Sequence, residues 1–266
     1  MAATTPKPRL LAIVGPTASG KSELAIKVAN KFNGEIIAAD SRTVYRGMDV
    51  GTAKPTTAQQ LKIRHHGLDL VDPEDDFNAY QFKRYASGKI KEIQKRGNLP
   101  ILVGGSGLYI DSVLFDYKFS PTSLERDSQN PRHLKRTIQP ATRGELRANT
   151  LIVGLKQSRD VLKSRLNLRM EQMIKEGFIQ EVETVSKRYG WGSNALLAPG
   201  YRAFRDYLEG TISLEEAKAR FVQYDLNLAK RQWTWFKRNP HIHWFTDSME
   251  AFEYISKVLS TKNIEA

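Results

Sequence analysis

The sequence predicts an α/β fold: a parallel sheet with helices on both faces and a small, mostly helical insertion. Three observations carry that expectation. Short continuous apolar runs (Leu10–Val14, Leu99–Val103, Leu151–Leu155) alternate with segments whose apolar residues recur at helical spacing. Strands buried on both faces between crossover helices read this way. The first run passes directly into Gly15-Pro16-Thr17-Ala18-Ser19-Gly20-Lys21-Ser22, which fits G-x-x-x-x-G-K-[ST] and opens a helical pattern with Leu24, Ala25 and Val28 on one face. This strand, glycine loop and helix place the chain among P-loop-containing nucleoside triphosphate hydrolase-like folds. Third, the next buried run, Gly34–Ala39, ends in Asp40-Ser41, a polar pair at the carboxyl end of a strand, where open α/β sheets bind ligands.

A chain of 266 residues with 40% hydrophobic content fits one domain, or one carrying a smaller insertion. The expected division is a first part of the core over 8–116, a basic, partly helical insertion and return over 117–198, and closing helices with a last strand over 199–266. The absence of cysteine excludes disulfides, thiol catalysis and cysteine-ligated metal. No apolar run approaches the ~18 residues of a membrane span, and Met1–Arg9 lacks the apolar centre of a signal peptide. The expectation is a cytoplasmic monomer without membrane contact. The net charge is +12, and residues 118–169 concentrate it, with 12 Lys+Arg against 4 Asp+Glu. Such an excess suits a polyanion such as nucleic acid, the alternative being a solvated basic surface.

Taken in order, Arg42–Pro55 is a glycine-punctuated loop too rich in Arg, Lys, Thr and Tyr for a plain connector. His65–Pro73 reads as a short strand with its exit, and Phe77–Arg96 as a helix turning Tyr80, Phe82, Tyr85 and Ile90 inward. Lys118–Asn149 is linker-like, with one helical candidate at Asn130–Gln139. A long helix starts near Ser158 as N-cap, with Leu162, Leu166, Met170 and Met173 toward the core and Arg165 and Arg169 one turn apart on an adjacent face. Helices over Tyr201–Leu208 and Leu214–Trp235, a strand at His243–Phe245 and a helix from Ser248 close the chain.

The glycines let the loop turn its backbone N–H groups toward one point, and the helix N-terminus adds positive partial charge. Lys21 supplies a mobile cation, and the Ser22 hydroxyl can ligate Mg²⁺. These residues identify a phosphorylated ligand but not a reaction. The strand Leu99–Val103 runs into Gly104-Gly105-Ser106 rather than an acidic residue, so a Walker-B aspartate is not evident, which argues against ATP hydrolysis. His65 and His66 have no carboxylate at metal-ligand spacing and read as structural or loop contacts. Trp233, Trp235 and Phe236 read as packing residues.

The ordered set Gly15–Ser22, Asp40–Tyr45, Gly51–Pro55, His65-His66, Gly104–Tyr109, Gly200-Tyr201-Arg202 and Ala229-Lys230-Arg231-Gln232-x-Thr234-Trp235 resembles the tRNA dimethylallyltransferases, or tRNA isopentenyltransferases, from residue 10 to about 245. The resemblance implies transfer of a dimethylallyl group from dimethylallyl diphosphate to N6 of an adenine beside the tRNA anticodon. It makes Asp40 the general base, and Thr17, Lys21 and Ser106 further catalytic residues. Gly15, Pro16, Thr17, Ala18, Ser19, Gly20, Lys21 and Ser22 would hold the diphosphate, with Mg²⁺ at Ser22. Asp40, Ser41, Arg42, Thr43, Ser106, Arg132, His133, Leu134, Lys135, Arg136, Lys230 and Arg231 would contact the anticodon stem-loop.

The chain departs from the family pattern at several places. Ser106 stands for the usual Thr, Thr43 for Gln, His133 for Arg, and Leu226 for an arginine placed near the diphosphate; the stretch between Phe115 and Leu151 is short. These departures keep two other readings open: an isopentenyltransferase of free adenine nucleotides, and a catalytically weakened RNA-binding protein on the same fold. A small-molecule kinase is the remaining alternative, without a nucleoside-specific lid to support it.

Overall fold

A computed structural model describes residues 8–119 and 140–261. The basic segment Arg132–Arg136 and the helix expected at Asn130–Gln139 lie outside the described residues. In chain order the elements are β1 (Leu10–Val14), α1 (Lys21–Phe32), β2 (Gly34–Ala38), α2 (Thr57–Lys62), β3 (His65–His66), α3 (Ala79–Lys95), β4 (Leu99–Gly104), α4 (Gly107–Leu114), β5 (Lys118–Phe119), β6 (Pro140–Thr142), β7 (Thr150–Leu155), α5 (Arg159–Lys175), α6 (Phe178–Tyr189), α7 (Pro199–Leu208), α8 (Leu214–Phe236), β8 (Ile242–Phe245) and α9 (Ser248–Ser260).

Six strands form one sheet in the order β3-β2-β4-β1-β7-β8, and every neighbouring pair is parallel. The predicted α/β class therefore holds. Because β4 lies between β1 and β2 while β7 lies on the other side of β1, the winding reverses beside β1. The crevice outside the carboxyl ends of the strands at such a reversal is where ligands bind, and there the chain places Gly15, Asp40 and Gly105-Ser106.

One face of the sheet packs on α3, α4 and the end of α8, through Phe82, Ile90, Val113 and Phe236. The other packs on α1 and α9, through Leu24, Val28, Ile255 and Leu259. A third apolar cluster contains no strand residue and joins α5, α6, α7 and α8 around Met170, Phe178, Tyr201, Phe204 and Leu226. Local signals set the helix starts. Ser158 Oγ accepts the Val161 N–H as anticipated, and Thr56, Asn78 and Ser213 form capping boxes.

Several elements differ from expectation. The strand at His65 is only two residues long, because the chain then leaves β2 and pairs Val71 with Tyr45. The helix α4 escapes detection because six of its eight residues, Tyr109 to Leu114, are buried, leaving no amphipathic period. Gly177, in the left-handed region at φ 92°, ends the long helix and starts α6. The described ends of the linker-like stretch pair antiparallel as β5 and β6. No helix among the described residues is long and apolar enough to cross a membrane.

The loop 42–55 is held at both ends. The Lys54 side chain, 3% exposed, reaches Tyr45 O at 2.6 Å and the carboxylates of Asp49 and Asp69 at 2.6 and 2.5 Å. Glu181 on α6 accepts the N–H groups of Asp49, Val50 and Gly51 at 2.7–2.8 Å, together with the Tyr201 hydroxyl at 2.6 Å. Burial and the adjacent Glu181 carboxylate raise the Tyr201 pKa, so its proton stays in that bond.

At the far edge of the sheet, Glu35 on β2 is buried and accepts two bonds from Arg96, one from Asn98 and one contact from His66. His66 therefore has a structural role, as expected, with a carboxylate partner that lies 31 positions away in sequence. Burial alone would raise the Glu35 pKa, but the bonds from Arg96, His66 and Asn98 outweigh it and hold the carboxyl at about 2. A lowered native pKa gives stability that is present above the unfolded value of 4.5 and lost as pH falls toward 2. Glu35→Gln should therefore lower Tm by several degrees at pH 7, with the gap to wild type narrowing as pH drops below 4.5. Calorimetry across that range would reject this account if the gap stayed constant.

Candidate active site

The site is built from the ends of β1, β2 and β4 and from two helices that arrive late in the chain. Leaving β1, the glycine loop passes through Ala18 at φ 60° and Gly20 at φ 99°, and α1 begins at Lys21. The N-terminus of α1 thus points its free N–H groups at the loop's interior. Lys21 Nζ donates back to Pro16 O. Burial and then the nearby Arg169 guanidinium lower the Lys21 pKa to about 7, with Asp40 acting in the opposite sense. Ser19 Oγ is enclosed without a hydrogen-bond partner, and Ser22 is exposed.

Helices α5 and α8 clamp this loop from outside. Gln232 Oε1 on α8 accepts the Thr17 N–H at 2.8 Å. Arg169 Nη1 on α5 donates to Thr17 Oγ1 at 3.3 Å, and Arg165 Nη1 to Ala18 O at 3.1 Å. Gln232 reaches Thr17 because residue 105 is glycine: a Cβ there would stand 2.3 Å from Gln232 Nε2. Asp225, about two turns before Gln232 on the same side of α8, is 9% exposed. Burial and the charge of Asp40 push its carboxyl up to about 6, against the pull of Arg169.

Beside the clamp opens a cavity of about 680 Å³. Asp40, Ser41, Arg42, Ser106, Arg202 and Arg231 supply polar lining, and Phe77, Leu108, Tyr109, Leu228 and Trp235 an apolar wall. Asp40 is half-buried at the junction of cavity and loop, with Oδ1 accepting the Arg42 N–H at 2.8 Å. Ser106 Oγ accepts the Ser41 N–H at 3.0 Å, which ties the ends of β2 and β4 together. Arg42 is braced by Asn194 O at 2.8 Å. A half-buried carboxylate beside a cluster of cations and N–H donors can take up a proton while an anion departs next to it.

Of the residues expected from sequence, Thr17, Lys21 and Ser22 with the rest of the loop, and Asp40, Ser41, Arg42, Ser106 and Arg231, gather around the loop and this cavity. Thr43 does not: it is 6% exposed, and its Oγ1 is enclosed without a partner. Lys230 is exposed and lies off the cavity lining, and Leu226 is buried in the helical cluster. Trp233 packs edge-on against Trp244 and Phe236 is buried, as anticipated. Trp235, expected only to pack, also lines the cavity. Sequence reasoning left Arg169, Gln232, Asp225 and Arg202 out of the site. The spacing of Arg165 and Arg169 was the available signal for the first, and nothing local marked the target of Gln232.

A protein-family model described as IPP transferase matches residues 43–142 and 124–239. The tRNA dimethylallyltransferase of Staphylococcus epidermidis is 35% identical over 305 aligned positions, which cover 96% of this chain and 92% of that protein. The one of Pelotomaculum thermopropionicum is 37% identical, with 92% of each covered. Among solved structures, the tRNA isopentenylpyrophosphate transferase of Bacillus halodurans superposes with TM-score 0.78 at 33% identity, covering 95% of this chain and 97% of that one. A eukaryotic dimethylallyltransferase acting on tRNA shares the fold, with TM-score 0.78 at 23% identity.

The charge arrangement makes a direct prediction. In ligand-free protein the Lys21 ammonium should titrate near 7; a bound diphosphate, by adding negative charge, should return it toward the ordinary lysine range. An NMR titration of the isotope-labelled lysine side chains, with and without inorganic pyrophosphate, reads both values. A Lys21 signal that pyrophosphate leaves unmoved would place the anion elsewhere.

Proposed function

The chain belongs to the IPP transferase family, and on that premise we propose that it is a tRNA dimethylallyltransferase, moving the dimethylallyl group of dimethylallyl diphosphate to N6 of an adenine beside the tRNA anticodon. The observation that carries this reading is the junction of glycine loop and cavity. Gln232 and Asp40 border the cavity, while Gln232 bonds the loop and Asp40 acts on Lys21. A donor anchored by its diphosphate on the loop would present its allylic carbon to a base held in the cavity.

In that step the C1–O bond to diphosphate breaks, the N6–C1 bond forms, and the N6 proton passes to the Asp40 carboxylate. Lys21, Arg169 and the loop N–H groups neutralise the departing diphosphate. Ser41, Arg42 and Ser106 orient the adenine, which must leave its stack to enter. A Mg²⁺ ion fits the donor set: the exposed Ser22 hydroxyl at the helix start and the enclosed, unpartnered Ser19 hydroxyl within the loop are hard oxygen groups suited to ion and phosphate. The ion would add charge neutralisation there. Arg231 at the cavity and exposed Lys230, with the segment Arg132–Arg136, would hold the RNA backbone of a cytoplasmic tRNA, the protein acting as a monomer.

One observation favours a second reading. The 305 positions aligned with the Staphylococcus relative exceed the 266 residues of this chain, so the relative carries residues that this chain lacks. If the loss falls between Phe115 and Leu151, the grip on the anticodon stem is reduced, as in an enzyme of free adenine nucleotides.

Incubating the protein with Mg²⁺ and labelled dimethylallyl diphosphate, and with either unmodified tRNA or AMP, separates these. Label should enter tRNA; label in AMP alone supports the second reading, and label in neither leaves only an RNA-binding role. Asp40→Ala should reduce transfer by about 10²-fold or more while tRNA affinity stays within a few fold. Transfer near the wild-type rate would remove Asp40 as the base. Affinity for tRNA should also fall steeply with added salt; a flat response is incompatible with contact through the basic segment.

A further inference from the structure

Helix α8 lines the cavity with Leu228, Gln232 and Trp235, positions that share one face of a helix. Gln232 marks the phosphate end through its bond to Thr17. Trp235 stands three residues further along, about 4.5 Å at 1.5 Å per residue.

Three contacts hold the indole. Its Nε1 donates to Asp111 Oδ2 at 2.9 Å. The Arg238 guanidinium lies 5.3 Å from the ring centroid. The ring also lies against the backbone at Gly107, where a Cβ would come within 2.4 Å of Trp235 Cδ1, so glycine is required for this packing. Asp111 is itself 7% exposed, with Oδ2 also receiving the Tyr117 hydroxyl at 3.5 Å and Oδ1 left without a partner. Burying a carboxylate so incompletely bonded is costly, and the bond to the indole is the closest contact it makes. A wall anchored in this way cannot turn aside to admit a longer group.

We propose that Trp235, held in place by Asp111, sets the length of the allylic chain that the cavity accepts. The inference rests on the transferase reading above. With the diphosphate seated at the Thr17–Gln232 end, an allylic chain running along this face of α8 comes next to Trp235, three positions on and about 4.5 Å further in helix rise. On this reading the indole stands in the path of a second isoprene unit. Trp235 is thus a specificity residue, and Asp111 a positioning residue that acts through it.

The test uses the full chain with unmodified tRNA and compares kcat/KM for dimethylallyl and geranyl diphosphate. Wild type should discriminate strongly against geranyl. Trp235→Ala should shift the ratio toward geranyl by at least about tenfold, the scale on which apolar pockets discriminate chain length. Asp111→Leu should shift it in the same direction, while Asp111→Asn, which keeps an acceptor for the indole N–H, should retain the wild-type ratio. An unchanged ratio in Trp235→Ala overturns the proposal, as does a wild type that uses both donors equally. Should Trp235→Ala transfer neither chain, protection against thermal unfolding by each diphosphate decides: geranyl diphosphate must protect this variant better than it protects wild type, and equal protection overturns the proposal. A wild type that transfers dimethylallyl to no acceptor would instead strike the functional reading beneath it.

Discussion

Two cations share one glycine loop. Lys21 enters from the start of α1 and Arg169 from α5, close enough that the guanidinium disfavours the Lys21 charge, and burial disfavours both charges. The acidic groups that answer them, Asp40 and Asp225, sit nearby without closing an ion pair on either within 4 Å among the described residues. In a poorly solvated crevice such an arrangement is costly unless an anion joins it. A multiply charged phosphate group, as the proposed reaction requires, would answer the helix end and both side chains at once. The rest of the site follows from keeping these groups together. Gln232 and Arg169 tie the loop to α8 and α5, and the loop 42–55 is secured by Lys54 and Glu181 so that Asp40 and Arg42 face the same space.

The departures from the family pattern acquire a physical meaning at this level. Leu226, where the resemblance implies an arginine, belongs to the apolar cluster of the helical layer, and α5 brings Arg165 and Arg169 to the loop. Its neighbour Asp225 brings a buried carboxylate toward Arg169. Ser106 retains a hydroxyl, and that hydroxyl fixes the turn after Asp40 by accepting the Ser41 N–H. Thr43 faces inward, so the shorter side chain there alters packing rather than the cavity wall.

What could be read from the sequence was local in character. A strand running into G-x-x-x-x-G-K-S, the cap at Ser158, the buried periodicity of α3 and the polar exits of β2 and β4 each depend on residues a few positions apart. Their conformations are decided by hydrogen bonds and sterics within that span. Where the local signal was weak the reading fell short: α4, buried almost all round, escaped, and the strand read at His65–Pro73 is only the two residues that pair with β2.

The sequence by itself therefore determined the sheet class, the phosphate loop, the acidic strand end beside it and, through the order of its motifs, the family. Only the tertiary structure decided that Gln232 would hold Thr17, 215 positions away, that Arg169 would reach the same residue across 152, and that Trp235 would wall the cavity through Asp111 across 124. The reason is the topology. Bringing α5 and α8 over the carboxyl ends of β1 and β4 requires the whole parallel sheet to be in register, and no pattern within either helix specifies which loop its polar face will meet.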